Sequence, residues 1–547
     1  MTADTLNRDE LDVQANVQDA MALEDRVIGK VLARRAAKNG DRVWMISGDR
    51  KVTFSEADRL VNGYARGLAA VGLAKGQTLA LVMYPSIDAI LIGLAATRLG
   101  AIFTTICTDY KREFLSEALE QADSEILVID GELSDRLDAL GDLGPVKHVF
   151  VHDEPSPDAK TARASSADLL QSGFEPVEDV AVWSDVAQIW WSSGTTGKPK
   201  GIMHSHSSVL RLGADNGKNL VEDDILYVCT PIYLGSPWSG AIWASLVAGV
   251  GAAIDKEFSV SRFWDRIRHY NATSFMTLGA MHIHLWRAPP KPNDADNRLR
   301  RAICFPMPYD ILPQFKERFG IGYMSQGYGQ SETFLVFDAP DDGTKWVGSA
   351  LGRPVEWYEV KLFDTNDQEV PVGEVGEICI RPKEPGVMFS GYFRQPEVTL
   401  QAWRNLWHHT GDMATRDESD IHYFADRKKD YIRYKGRNIS MNEVETIVAR
   451  HDGVLDVAGY GIQSEELESE AELMIAVVAR PGSGLTPLEL AKFVNDNAPY
   501  YFVPRFIEIM DELPRNPHGR VKKPDLRERG VVPTTWDSKA VGFKAQR

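Results

Sequence analysis

Ile189–His204 reads IWWSSGTTGKPKGIMH. An apolar strand end, Ile189–Trp191, runs into Ser192, Ser193, Gly194, Thr195, Thr196, Gly197 and Lys198, and a second lysine, Lys200, follows Pro199. Glycines let the backbone approach an anion closely, amide N–H groups and hydroxyls donate to phosphate oxygens, and lysines supply positive charge. The segment is not a Walker A loop. Two residues rather than four separate Gly194 from Gly197-Lys198, and Pro199 stands where that motif needs Ser or Thr. Polyphosphate contact is favoured over a solvated surface turn.

Upstream of this loop, Gln77–Tyr84 (QTLALVMY) reads as an apolar strand and Ile87–Arg98 as a helix, which Gly100 caps before the apolar stretch Ala101–Ile106. A helix at 112–121 and strands at 125–129 and 147–151 continue the rhythm, and the polar 151–180 reads as a surface excursion. Downstream, apolar runs near 226–230, 252–254, 273–278 and 301–305 lie between helical stretches. Helices alternating with short apolar strands imply an α/β fold of layered, mostly parallel sheets with helices on their faces.

After Gly348 the texture changes. Short strands such as Tyr358–Phe363 and Glu377–Ile380, separated by Gly, Pro and Asp, suggest a barrel-like subregion at about 350–425. Asp426–Arg437 is strongly basic and precedes a helix at about 441–450, strands near 454–460 and 472–479, and a helix at 487–497. The expected division is a polar arm at 1–25, a large domain at 26–425 and a small mobile α+β domain at 426–547.

Of 547 residues, 44% are hydrophobic and 25% charged, with a formal net charge of −17. That balance argues against a nucleic-acid binder working by phosphate neutralisation. Thirteen Trp and 21 Phe argue against disorder. Cys107, Cys229, Cys304 and Cys379 lie more than 70 residues apart, without metal-knuckle or C-x-x-C spacing, and read as buried thiols of a reducing compartment. The N-terminus lacks the pattern of a signal peptide, and no run reaches the roughly 20 apolar residues of a membrane span, so a cytoplasmic location is expected.

Four further strings follow the loop in order. They are Tyr328–Thr333 (YGQSET), His409–Asp412 (HTGD), Asp426–Ser440 (DRKKDYIRYKGRNIS) and Leu513–Lys523 (LPRNPHGRVKK). Alone, YGQSET also fits a helix N-cap or a plain turn, and the basic run fits a solvated linker. Together the five strings resemble those of the adenylate-forming superfamily, which includes acyl-CoA synthetases, peptide-synthetase adenylation domains and beetle luciferases. The likeness runs from about residue 25 to about 530, with a general resemblance to the carnitine/crotonobetaine-CoA ligase-like branch.

The resemblance implies that Ser192–Lys198 hold the phosphates, that Tyr328 packs on adenine with Gly329 also at the nucleotide, and that Thr195 and Glu332 hold magnesium. Thr333 would meet the α-phosphate or the carboxylate, and Asp412 the ribose with Arg427 beside it. Lys429 would be the hinge, and Lys435, Gly436 and Arg437 would line the pantetheine tunnel once the small domain has turned. Thr195, Lys200, Glu332 and Arg520 are the residues it implies for catalysis. An acyl pocket drawn from 231–246, 276–286, 303–309 and 324–338 would include Tyr233, Trp238, Met281, Met307 and Phe334, although each also reads as a core residue. Its apolar content favours a mainly hydrophobic acid.

The activity so implied joins a small carboxylic acid to coenzyme A using ATP. The carboxylate attacks the α-phosphate to give acyl-AMP and pyrophosphate, and the thiol then displaces AMP. No protein nucleophile is needed, so His204, His206, His282 and His284 read as packing or polar contacts. No nucleic-acid or membrane partner is implied, and a homodimer is compatible with the resemblance. A carrier protein, an amine or an internal hydroxyl is the alternative acceptor, and a non-catalytic nucleotide-binding scaffold is the third reading.

Three departures bear on these expectations. Gly519–Arg520 stands where the superfamily has Gly-Lys, and a planar guanidinium is not equivalent to an ammonium. Pro231–Trp238 lacks the aromatic-histidine pair often found at the pocket entrance. Cys304–Pro308 replaces a Gly-Gly-Ala-Pro-like adenine strand.

Overall fold

The computed structural model describes residues 8–19, 22–192, 199–278, 280–427, 431–434, 437–463, 471–498, 502–516 and 519–545. It divides into two compact units. The first comprises 1–192, 200–359 and 382–401; the second comprises 193–199, 360–381 and 402–547. The composition break near 426 thus falls inside the second unit.

The first unit is α/β. One of its sheets runs, edge to edge, through Ala164–Ser165, His148–His152, Ile126–Asp130, Thr78–Val82, Ile102–Thr105, Val186–Ser192 and Lys200–Ser205. All neighbours are parallel except the last pair. Every residue of Thr78–Val82 is buried, as a parallel strand covered on both faces requires. The other sheet has a parallel centre of Tyr323–Gln330, Arg301–Phe305, Ser274–Leu278, Ile225–Val228, Gly251–Ile254 and Val43–Ser47. Antiparallel strands flank that centre on both sides.

Helix Ile87–Arg98, N-capped by Ser86, is buried at all twelve positions. A mostly apolar helix without a continuous polar face belongs inside a protein rather than on its surface. Its one buried cation, Arg98, is held by Asp58 at 2.7 Å and Asn62 at 2.6 Å, so the charge is paired rather than stranded. The polar 151–180 segment is more than a surface excursion. Leu169 is buried, and a Cβ on Gly67 of the helix Phe54–Ala70 would overlap the Leu169 backbone, so the two segments touch.

The second unit is α+β at its C-terminal end. Val454–Gln463, Ala471–Ala479, Phe506–Met510 and Trp536–Asp537 form a four-stranded mixed sheet. Helices Met441–Val448 and Pro487–Asn497 pack on one of its faces and Lys523–Arg529 on the other. Gly376–Pro382, His408–Arg416 and His422–Arg427 form an antiparallel meander in the same unit, the texture expected of the barrel-like stretch. The four cysteines are buried and joined by no disulfide, and no helix among the described residues is long and apolar enough to cross a membrane.

Candidate functional site

Strands Val186–Ser192 and Lys200–Ser205 pair with Ser192 directly opposite Lys200. These two residues close the base of the Gly-rich loop. Ser193, Gly194, Thr195, Thr196, Gly197 and Lys198 themselves lie outside the described residues. The Lys200 ammonium sits 4.9 Å from the centre of the Tyr392 ring, a cation–π distance. The Tyr392 hydroxyl donates to Glu332 Oε1 at 2.9 Å, and Phe389 N–H donates to the Glu332 carbonyl at 2.9 Å. Burial and the Glu332 carboxylate both raise the Tyr392 pKa, which keeps the phenol protonated and donating. The segment carrying Tyr392 pairs with the strand that follows the loop, through Met203 N–H to Gly391 O at 3.0 Å and Phe393 N–H to Gly201 O at 2.7 Å. Lys200 and Glu332, distant in sequence, therefore meet at one phenol. Sequence reasoning missed Tyr392, and no spacing rule signals a contact of that range.

YGQSET is the tip of a hairpin, not a helix N-cap. Tyr323–Gln330 and Phe334–Ala339 run antiparallel, with Ser331–Thr333 turning between them. Gly329 is required here, because a Cβ would stand 1.8 Å from the Phe334 carbonyl oxygen. Thr333 is wholly buried, and its carbonyl accepts from the Tyr358 hydroxyl at 2.7 Å, which fixes the turn. The Tyr328 ring lies 5.8 Å from Phe337.

Phe334 leaves the turn at φ +57°, a left-handed backbone rare for a bulky residue. Its ring stacks on His204 at 4.6 Å and meets Trp190 edge-on at 5.5 Å. Burial, only partly offset by the Ser331 backbone, holds the His204 pKa down at about 3, so the ring is neutral. His206 Nδ1 accepts from Ile28 N–H at 3.1 Å, and His282 lies 2.7 Å from the Pro306 carbonyl. These three histidines make packing and polar contacts, as expected.

Four of the five acyl-pocket candidates fall into or against two core clusters, and Tyr233 is half-buried outside both. Trp238 is fully buried, donates to Ile232 O at 2.7 Å and stacks on Trp243 at 5.3 Å, and Phe334 packs against that same core. Met307 is buried in the second cluster, with Met281 packed against it. Gln326, not singled out in the sequence, holds both backbone polar groups of Met307: its Oε1 accepts from Met307 N–H at 2.9 Å and its Nε2 donates to Met307 O at 2.9 Å. Burial, with Cys107 and Asp109 nearby, raises the Tyr233 pKa.

In the second unit, HTGD is a bulge. Cys379 pairs with His409 and Glu377 with Met413, so Thr410, Gly411 and Asp412 stand against the single residue Ile378. Gly411 adopts φ +71°, its N–H donates to Glu377 Oε1 at 3.0 Å, and Thr410 Oγ1 donates to Ile378 O at 2.8 Å. Such bulges re-aim side chains beside sites. Asp412 is largely buried and stands directly across from Arg427, which is described in its backbone only, as is Arg437. Lys429, Lys435 and Gly436 lie outside the described residues. Arg520 is exposed on a tight turn. Its N–H donates to Asn516 Oδ1 at 3.0 Å and its carbonyl accepts from Asn516 N–H at 2.8 Å, with Gly519 at φ +77° beside it.

Residues 32–393 match the pattern of the family described as AMP-binding enzyme, and 443–520 match the AMP-binding enzyme C-terminal domain. The crotonobetaine/carnitine–CoA ligase of Citrobacter koseri is 28% identical, covering 87% of this chain and 93% of its own. The ATP-bound MatB structure from Rhodopseudomonas palustris superposes with a TM-score of 0.77 at 25% identity, over 92% of this chain and 98% of that one. The amide bond synthetase McbA from Marinactinospora thermotolerans gives 0.73 at 24% identity, over 91% and 99%.

Proposed function

The chain belongs to the AMP-binding enzyme family, whose adenylate-forming chemistry is the premise from which we propose an ATP-dependent carboxylic acid–CoA ligase acting on a mainly hydrophobic acid. The observation that carries this reading is the meeting of Lys200 and Glu332 at Tyr392. It joins the strand leaving the Gly-rich loop to the YGQSET carboxylate, a cation beside a hard oxygen donor.

In this reading the loop and Lys200 take the β- and γ-phosphates and offset the repulsion between triphosphate and incoming carboxylate. Glu332, with Thr195, would hold magnesium. A carboxylate oxygen next to hydroxyl donors suits a hard cation, and bound there it would neutralise phosphate charge. Tyr328 and Gly329 would receive adenine, Thr333 the α-phosphate, and the Asp412 bulge the ribose with Arg427. Arg520 would meet the acid and α-phosphate during adenylation. A turn of the 426–547 domain at Lys429 would then bring Lys435, Gly436 and Arg437 to the pantetheine arm. Tyr233, Trp238, Met281, Met307 and Phe334 supply the apolar character assigned to the acid site.

The relatives that carry CoA-ligase names support coenzyme A as acceptor, and their own acids are not transferred to this chain. The same fold serves a protein named for amide synthesis, so fold does not choose the acceptor. A panel of carboxylic acids, assayed with and without coenzyme A, tests the reading. Pyrophosphate release with some acid is expected, and a thioester of matching mass only when coenzyme A is present. Pyrophosphate without a thioester would transfer the reading to another acceptor. Absence of pyrophosphate release with every acid in the panel would favour the scaffold.

A further inference from the structure

The foot of the Thr410–Asp412 bulge holds a group of side chains that the ligase reading leaves without a part in the chemistry. Glu377 and Cys379 lie two residues apart on one strand, and His409 stands directly across from Cys379. His409 Nδ1 is 3.0 Å from Glu377 Oε2 and 3.2 Å from Cys379 Sγ. The three ligand atoms all lie within 4.8 Å of one another, and the residues are only 3%, 0% and 8% exposed. We propose that Glu377, Cys379 and His409 form a binding site for a borderline divalent cation of the zinc and cobalt type.

Two groups compete here for one imidazole nitrogen, which can donate or accept a single hydrogen bond. One cation among the three would serve all of them at once. Zn–S bonds of about 2.3 Å and Zn–N or Zn–O bonds of about 2.0–2.2 Å place tetrahedral ligand atoms roughly 3.3–3.6 Å apart. The observed 3.0 and 3.2 Å gaps need only a few tenths of an ångström of expansion. A thiolate and a carboxylate balance the two positive charges, with the thiol proton released to solvent on binding. One sulfur, one nitrogen and one oxygen favour zinc or cobalt over magnesium.

The surroundings fit a loaded histidine. His409 Nε2 is buried without a hydrogen-bond partner among the described residues, and Asp367 Oδ1 lies 3.9 Å from it. A cation on Nδ1 would fix the proton on Nε2 and aim it at that carboxylate, the usual brace of a metal-bound imidazole. Arg404 touches Glu377 Oε2 at 3.2 Å but also grips Asp367 at 2.9 Å, so it keeps a counter-ion when the cation takes Oε2. Its side chain is 39% exposed and marks the way in. Glu377 Oε1 stays with Gly411 N–H, so the cation would tie the bulge presenting Asp412 to the meander behind it.

The full-length protein, stripped with a chelator, is titrated with Co2+ and then Zn2+. One cation per chain is expected, with a cobalt–thiolate charge-transfer band that Zn2+ displaces and a higher thermal midpoint at saturation. Cys379→Ala and His409→Asn should each weaken binding by about a hundredfold or more and abolish the band. X-ray absorption of the zinc-loaded wild type should show one sulfur neighbour at about 2.3 Å among nitrogen and oxygen neighbours. That measurement decides alone if either variant does not fold. A wild type without stoichiometric binding, an all-nitrogen-and-oxygen shell, or a band that survives in Cys379→Ala overturns the site. None of these readouts depends on ATP or an acid, so their failure is separable from failure of the ligase reading.

Discussion

Glu332 is held twice, by Tyr392 at its side chain and by Phe389 at its carbonyl, so its carboxylate is oriented before any ligand arrives. Glu332→Gln keeps the shape and removes the charge. Adenylation, followed as pyrophosphate release at limiting magnesium, should fall by about tenfold or more; an unchanged rate would remove Glu332 from the magnesium site. Arg520 offers a cleaner separation of steps. If it acts at the adenylation transition state, Arg520→Ala should slow acyl-AMP formation by roughly a hundredfold, equivalent to about 3 kcal/mol, while thioester formation from supplied acyl-AMP survives. Normal adenylation in that variant, with collapse in Lys522→Ala or Lys523→Ala, would move the role to a neighbour. His204 carries a prediction about stability. The folded chain keeps it neutral down to about 3, whereas an unfolded chain protonates it near 6.5. Its contribution is complete above the unfolded value and is lost as pH falls toward the folded one. By pH 5 the wild type has given up about 2 kcal/mol from this group, which His204→Phe should retain. Urea midpoints at pH 7 and pH 5 test this, and an equally wide gap in both proteins would refute it.

At the scale of elements, the YGQSET hairpin and the HTGD bulge show what sequence can and cannot disclose. Glu332 of YGQSET and Asp412 of HTGD were singled out by the resemblance of their strings, and a carboxylate is chemically suited to a hard cation or to ribose hydroxyls. The hairpin itself was not legible, since a hexapeptide of small and polar residues also suits a helix start. Tyr392, Gln326 and the Glu377–His409 pairing were hidden for one reason: each depends on strand register between distant segments, which local pattern does not encode. The strands and helices around them were legible because continuous apolar runs and 3.6-residue periodicity are local properties. The hairpin's backbone contact gives a direct test. Gly329→Ala forces a methyl group against the Phe334 carbonyl, so it should destabilise the protein by about 1–3 kcal/mol and depress adenylation. Calorimetry and pyrophosphate release should both respond; a silent variant would mean that the turn opens freely.

At the scale of the whole molecule, the proposed cycle asks one domain to serve two half-reactions. Lys429→Pro fixes φ and removes a backbone donor at the assigned hinge. Thioester formation from acyl-AMP and coenzyme A should therefore drop several-fold more than acyl-AMP formation from ATP. Equal losses in rapid-quench assays of the two steps would place the hinge elsewhere. Fold class was readable from the alternation of elements, but the extent of the compact units was not. Strands at 360–381 and the chain after 402 group together through long-range pairing that composition does not register.

Helix Ile87–Arg98 bears on how such a chain is made. It is buried on every side, in a core cluster that includes Leu210, Trp243 and Val250. Those partners leave the ribosome about 110 to 150 residues after the helix does, a delay of very roughly 5–30 s at ordinary elongation rates of about 5–20 residues per second. Throughout that interval the nascent chain carries a largely apolar helix whose polar residues are confined to Asp88 near one end and Thr97 and Arg98 at the other. Synthesis of this protein should therefore draw on a holding chaperone at that stage, and fragments that stop short of Val250 should collect in inclusion bodies while the full chain does not.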